Sequence, residues 1–188
     1  MKIIEFNSKD ENYLEDIASL RAEVWAYQVG NNTFSGGKWK DKHDEDSIHW
    51  GVITEDNRLI AAARLCIHDE VSQFPDYDEI SGLVDYLPGP IGMMTRLVVH
   101  PEFQKMGISK KLDKIRIEKS IELGAGSIML QVPTYRRKSI ESFGFECMGM
   151  AVDETFAGNT KFDFYLYVKY CHVLKEKKIS NLVPMENR

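Results

Sequence analysis

Residues 95–111 read Thr-Arg-Leu-Val-Val-His-Pro-Glu-Phe-Gln-Lys-Met-Gly-Ile-Ser-Lys-Lys. An apolar run ending at Val99 passes through a short polar connection into a helical pattern that opens at Gly107. The first backbone N–H groups of such a helix have no internal partner, and the helix dipole adds partial positive charge there. Gly107 has no side chain to keep an anion from the backbone. Ser109 adds a hydroxyl, and Lys105, Lys110 and Lys111 add charge. Together these residues form a candidate pyrophosphate cradle. The plainer reading is a glycine that opens a helix, with the lysines as a solvated face.

Three further groups carry potential chemistry. Arg96 interrupts an apolar strand, so it must meet a carboxylate or face a wet cleft. Structural pairing and active-site organisation are the two readings of it. The run Asp41-Lys42-His43-Asp44-Glu45-Asp46 is acidic but lacks the glycine and spacing of a calcium loop. It is expected to be a solvated loop or a contact for a cationic substrate, with no metal bound. Trp25, Tyr27, Phe34, Trp39 and Trp50 concentrate aromatic surface; Trp39, among glycines and lysines, is the candidate for lining an acceptor pocket.

The elements that must position these groups follow from periodicity. Lys2–Phe6 reads as a strand. Ser8 and Glu11 have capping-box spacing, and Tyr13, Ile17, Leu20 and Val24 recur at helical spacing to about Gln28. Gly30-Asn31-Asn32 and Gly36-Gly37 break into loop. Ile48–Thr54 and Leu59–His68 form a hairpin, residues 71–90 a long loop with one helical turn, and Gly92–Val99 a third strong strand. A helix is expected from Gly107 to Leu123, with Ile108, Leu112, Ile115 and Leu123 on one face and Ile117 and Ile121 on another, covered on two sides. Ser127–Val132 is a buried strand, Tyr135–Phe143 a short helix capped by Gly144, and Phe145–Val152 and Phe162–Tyr170 complete the sheet. The class is α/β, as an α+β mixed sheet flanked by helices, with a parallel crossover around the helix at 107–123. Residues 1–170 make a single domain and 171–188 a tail.

The chain of 188 residues has a net charge of −5, which argues against a nucleic-acid partner. Its three cysteines, Cys66, Cys147 and Cys171, show no C-x-x-C pairing, as expected of reduced thiols in a cytoplasmic protein. No apolar run has the length of a membrane span or signal peptide.

The order R-L-V-V-H-P-E-F-Q-x-x-G-x-S resembles the acyl-CoA motif Q/R-x-x-G-x-G/A of the GNAT superfamily of N-acetyltransferases. Gln104, Gly107 and Ser109 stand at its defining positions, Ser109 in place of the commoner glycine or alanine. Ser142-Phe143-Gly144-Phe145-Glu146 is similar to the family's G-F ending, and Leu20-Arg21-Ala22-Glu23-Val24-Trp25 to the first helix of some branches. The resemblance covers residues 1–170. It implies a GNAT-like acyl-CoA N-acyltransferase fold and acetyl-CoA as the donor. It also implies that Leu97, Val98 and Val99 pair with the pantetheine arm, and that Gln104, Lys105, Met106, Gly107, Ile108, Ser109 and Lys110 hold the pyrophosphate. The thioester would sit where this strand splays from the one at 127–132.

The catalytic half departs from the pattern. No carboxylate stands among Met93, Met94, Thr95 and Arg96, where many members carry a base. Ile140 occupies the place of the usual tyrosine acid, and Pro133 lies near that of the usual asparagine. Arg96, Tyr135 and Glu102 are the remaining catalytic candidates, with His49, His68 and Asp69 as possible water-relayed bases. The expected activity is acetyl transfer to an amine of a small molecule or peptide. Arg21, Trp39, the acidic run, Arg64 and Thr95-Arg96 also occur in similar order in acyl-homoserine lactone and N-acyl amino acid synthases. That similarity implies a longer acyl chain from acyl carrier protein or acyl-CoA. A non-catalytic acyl-CoA sensor is the third alternative, and a homodimer through the final strands is left open.

Overall fold

The computed structural model describes residues 1–6, 11–29, 37–151 and 163–171. The expected Ser8 cap, the turn at 30–32, Gly36, Phe34, the ends at Val152 and Phe162, and the tail at 172–188 lie outside them. The strands are β1 (Lys2–Phe6), β2 (Ile48–Ile53), β3 (Leu59–His68), β4 (Ile91–Val99), β5 (Ser127–Pro133), β6 (Glu146–Met150) and β7 (Phe164–Tyr170). The helices are α1 (Glu11–Val29), α2 (Tyr77–Ile80), α3 (Ile108–Glu122) and α4 (Arg137–Glu141). The seven strands form one sheet in the order β1-β2-β3-β4-β5-β7-β6. Every pair is antiparallel except β4–β5, the crossover that α3 makes. The chain thus places its last described strand inside the sheet, between β5 and β6.

Alternation and helical spacing explain most of the packing. Ile17, Leu20 and Val24 of α1 bury against Phe6, Ala62 and Val98. The segment 71–90, expected as loop, is a second wall of the core. A 3-10 turn at Val71–Gln73 and the single turn of α2 bring Val71, Phe74, Ile80 and Leu87 down on Ile91, Met93, Met129, Leu166 and Val168. On the other side of the sheet Ile108, Leu112 and Ile117 of α3 share a core with Leu65, Met94, Leu130, Ile140 and Phe145. The expected two-sided cover of α3 does not hold: Ile121 and Leu123 are exposed. The middle of its buried face is polar instead, with Asp113, Arg116 and Ser120 fully enclosed. Gly92 permits this close seat, because a Cβ there would stand 2.5 Å from Ser120 Oγ.

Two irregularities in β4 shape the rest. Ala62 pairs with Val98 and Arg64 with Thr95, so Arg96 and Leu97 together oppose Ala63 in a β-bulge. Arg96 takes φ +51° there, rare for a residue with a side chain. On its other edge β4 pairs with β5 only from Ile91↔Ser127 to Met93↔Met129. Beyond that point β5 stays with β7 as far as Pro133↔Phe164. The two parallel strands therefore part, and the cleft between them is the feature that the sequence resemblance implied.

His49 on β2 is fully buried, stacks on Phe6 at 5.6 Å, and donates from Nε2 to the Asp44 carbonyl at 2.9 Å. Burial, with Arg21 and Arg64 adding to it, pushes its pKa down to about 4. The folded state thus holds this proton more weakly than an unfolded histidine, whose pKa is about 6.5. The stabilisation is complete above pH ~6.5 and is lost as pH falls toward 4, by on the order of 3 kcal/mol. The urea midpoint of the wild type should fall across that window, and His49→Gln should flatten the fall. An equal slope in both proteins would rule out His49 as its source.

Candidate active site

Arg21 from α1, Arg64 from β3 and Arg96 from the bulge converge on the segment that follows α1. Arg21 Nη1 and Arg64 Nη1 both donate to Asp44 Oδ1, at 2.8 and 2.9 Å. Arg64 also donates to Asp41 Oδ1 at 2.5 Å and, through Nε, to Thr95 Oγ1 at 2.9 Å. Arg96 Nε donates to Asp41 Oδ2 at 3.0 Å, and its two terminal nitrogens grip Asp76 at 2.8 and 3.0 Å. Its guanidinium also lies 4.7 Å from the Trp39 ring centroid. Three arginines thus meet three aspartates drawn from the 41–44 turn and the start of α2.

This corrects the solvated-loop reading of residues 41–46. Glu45 and Asp46 are exposed, but Asp44 is buried and Asp41 half-buried, both neutralising arginines. Burial works against both carboxylate charges, yet Arg64 and Arg96 hold Asp41, and Arg21 and Arg64 hold Asp44, below the usual range. Burial pushes Arg21 down to about 10 despite Asp44. It opposes the charge of Arg96 as well, but Asp76 and Asp41 more than offset it and raise that pKa.

The cleft between β4 and β5 opens into a cavity of about 790 Å³. Leu97, Val98, Val99, Gln104, Lys105, Gly107, Ile108 and Ser109 all line it. Met106 and Lys110 do not: Met106 is exposed, and Lys110 reaches over the Phe143 ring. Gly107 is the N-cap of α3 at φ +76°, with open space where a Cβ would stand. Gln104 Nε2 donates to the Val99 carbonyl at 3.2 Å, tying the connection to the strand end.

Of the catalytic candidates, Arg96 and Tyr135 line the cavity and Glu102 does not. Glu102 sits on the turn Pro101–Phe103, where Arg58 donates to its carboxylate at 2.9 Å. Tyr135 belongs to the 3-10 turn before α4 and borders the cavity with its side chain largely exposed. His49 is enclosed behind β2, and neither it, His68 nor Asp69 borders the cavity. Trp39 borders the cavity, together with Trp25, Phe74 and Phe164. Trp50 belongs to the core.

Sequence reasoning missed Gln131, Arg116 and Arg136, which also line the cavity. Arg116 Nη1 donates to the Thr95 and Arg64 carbonyls, each at 3.2 Å, and Nη2 donates to Asp113 Oδ1 at 2.7 Å. Arg136 donates to the other oxygen of Asp113. The carbonyl that the bulge at Arg96 leaves behind, that of Thr95, is thus capped by a helix residue.

Residues 14–158 match the family described as Acetyltransferase (GNAT) family. No curated protein sequence matches the chain. Among solved structures, BjaI, a CoA-dependent acyl-homoserine lactone synthase determined with SAM and isopentyl-CoA, aligns at TM-score 0.67 and 15% identity over 88% of this chain and 81% of that one. The acyl-homoserine lactone synthase LasI aligns at 0.67 and 11% over 89% and 87%. An acyl-CoA N-acyltransferase from Pseudomonas aeruginosa aligns at 0.61 and 14% over 89% and 98%. At these identities the likeness is one of fold, a mixed sheet flanked by helices. Among the described residues no helix is long and apolar enough to cross a membrane.

Removing one partner of a buried charge pair leaves the other uncompensated, at a cost of about 3–5 kcal/mol. Asp44→Ala, which strands Arg21 and leaves Arg64 with Asp41 as its carboxylate, should lower unfolding free energy by that order in chemical denaturation. Glu45→Ala and Asp46→Ala should stay within about 0.5 kcal/mol of wild type. Similar losses for all three would return the acidic run to a solvated role.

Proposed function

Because the chain belongs to the acetyltransferase (GNAT) family, we propose that it transfers an acetyl group from acetyl-CoA to an amine of a small molecule or peptide. The observation that carries this reading is the parting of β4 from β5 beside a glycine-opened helix, within one continuous cavity. The edge of Leu97–Val99 that β5 leaves unpaired is available to the amide groups of a pantetheine arm, as an added strand would use it. The first turn of α3, with Gly107, Ser109 and Lys105, suits the pyrophosphate.

In this reading the amine nitrogen attacks the thioester carbonyl. The C–N bond forms, the C–S bond breaks, the nitrogen gives up a proton and the departing thiolate gains one. Tyr135, which borders the cavity and, like any phenol with a pKa of about 10, is protonated at neutral pH, is the acid we assign to the thiolate. The acceptor enters past Trp25 and Trp39 on the opposite face. Holding the amine against the thioester supplies much of the remaining acceleration. The free cysteines suit a cytoplasmic setting.

A second reading, transfer of a longer acyl chain from acyl-CoA or acyl carrier protein, has one observation in its favour. Arg21, Trp39, Asp41, Asp44, Arg64, Thr95 and Arg96, the residues shared in order with acyl-homoserine lactone and N-acyl amino acid synthases, lie in one bonded cluster. A ligand at about a hundred times its dissociation constant stabilises a fold by roughly 2.7 kcal/mol, a shift of several degrees in Tm. CoA and acetyl-CoA should each produce such a shift; a shift confined to long-chain acyl-CoA would select the second reading. Gly107→Glu, which sets a carboxylate in the anion cradle, should abolish the shift, whereas Gly107→Ala should keep it despite the strained φ. An unchanged shift in folded Gly107→Glu would remove residues 104–109 from the cofactor site.

A further inference from the structure

Arg116 and Arg136 share a single carboxylate, that of Asp113. Asp113 and Arg116 are fully buried, and both arginines border the cavity. Two guanidiniums against one carboxylate leave a surplus positive charge in the wall. The donors are in surplus as well: Arg116 Nε is buried with no hydrogen-bond partner. So is Nε2 of Gln131, which faces the same cavity from β5. A buried donor without a partner costs about 1–3 kcal/mol, more when it is charged. Asp76 and Glu79 also border the cavity, but beside Arg116, Arg136 and Gln131 the surplus favours a ligand group that brings acceptors and negative charge.

The position of the two arginines says which part of a ligand that is. α3 and α4 contribute to one core on the same side of the sheet, the side of the Gly107 cradle. Arg116 follows Gly107 by nine residues, roughly 14 Å along the helix at 1.5 Å per residue. Its Nη1 donates to the Thr95 carbonyl, two residues before Leu97 on β4. A thioester donor running from Gly107 along Val99 to Leu97 therefore presents to Arg116 the group beyond its thioester.

We propose that the cavity takes a CoA thioester whose short acyl group ends in a carboxylate, the monothioester of a dicarboxylic acid, held by Arg116 and Arg136. This rests on the acyl-CoA reading above and replaces acetyl with a carboxyacyl group as the preferred cargo. The guanidinium fork is suited to a carboxylate, and a charge-assisted pair is among the stronger hydrogen bonds. Asp113 takes the position of a fixed counter-ion that holds both arginines toward one point.

The test compares succinyl-CoA with butyryl-CoA, equal in chain length and differing in the terminal charge, with CoA alone as reference, by calorimetric titration of the full chain. Succinyl-CoA should bind roughly tenfold tighter or more. Arg136→Gln should erase most of that ratio and Arg136→Lys should keep part of it. Arg136 is the residue to change, since Arg116 also holds two backbone carbonyls. Equal affinities in the wild type, or a ratio untouched in Arg136→Gln, would overturn the proposal. Absence of binding by CoA itself would instead sink the acyl-CoA reading and this proposal with it, a result distinct from CoA binding without carboxylate preference.

Discussion

One extra residue in β4 governs the architecture. The bulge at Arg96 and Leu97 turns the strand and carries a backbone conformation that costs about 1–3 kcal/mol for a residue with a side chain. That strain persists because three arginines hold the distorted stretch from three directions. Arg64 binds the Thr95 hydroxyl, Arg116 binds the Thr95 carbonyl, and the side chain of Arg96 is locked to Asp41 and Asp76. The cleft, the unpaired edge at Leu97–Val99 and the meeting of both faces of the sheet in one cavity all follow from that turn.

The stabilisation of the bulge is polar, in a place where an apolar core would have been cheaper. Buried ion clusters lose much of their Coulomb gain to desolvation and are weak sources of net stability. What this cluster supplies is position. Asp41 follows α1 and Asp76 starts α2, so a single guanidinium fixes both segments relative to the central strand. Trp39 is held in the same stroke by stacking on Arg96. A site whose walls are set by charge pairs also has a defined electrostatic character before any ligand arrives.

The fold was legible because its elements obey local rules. Alternation in β3 and β4, the helical spacing of Ile17, Leu20 and Val24, and the glycine at the head of α3 each signal one outcome. The glycine-opened connection proposed as an anion cradle was legible for the same reason: its residues are contiguous. The ion cluster was not, because it joins residues 21, 41, 44, 64, 76 and 96, and a single sequence carries no signal of their pairing. Arg96 announced that it needed a carboxylate, but nothing local said that Asp41 and Asp76 would supply it. In α3 a signal was present and unread. Asp113, Arg116 and Ser120 fall on the same helical arc as Leu112 and Ile117, so a polar stripe in the centre of a buried face could have been deduced. The placing of β7 between β5 and β6 has no local signature, since strand order in a sheet is a tertiary choice.

That strand order bears on how the molecule comes into being. β5 meets β4 over three residue pairs and β7 over seven, so most of its hydrogen bonding waits for residues 164–170. A nascent chain emerging from the ribosome without that stretch has a nearly complete first half-sheet and a β5 with one bare edge. Pairing across such a sequence distance is slow, and bare edges are where unfinished chains aggregate. One wall of the cavity is therefore completed last in biosynthesis, and truncation before residue 164 removes the brace of that wall as well as a strand.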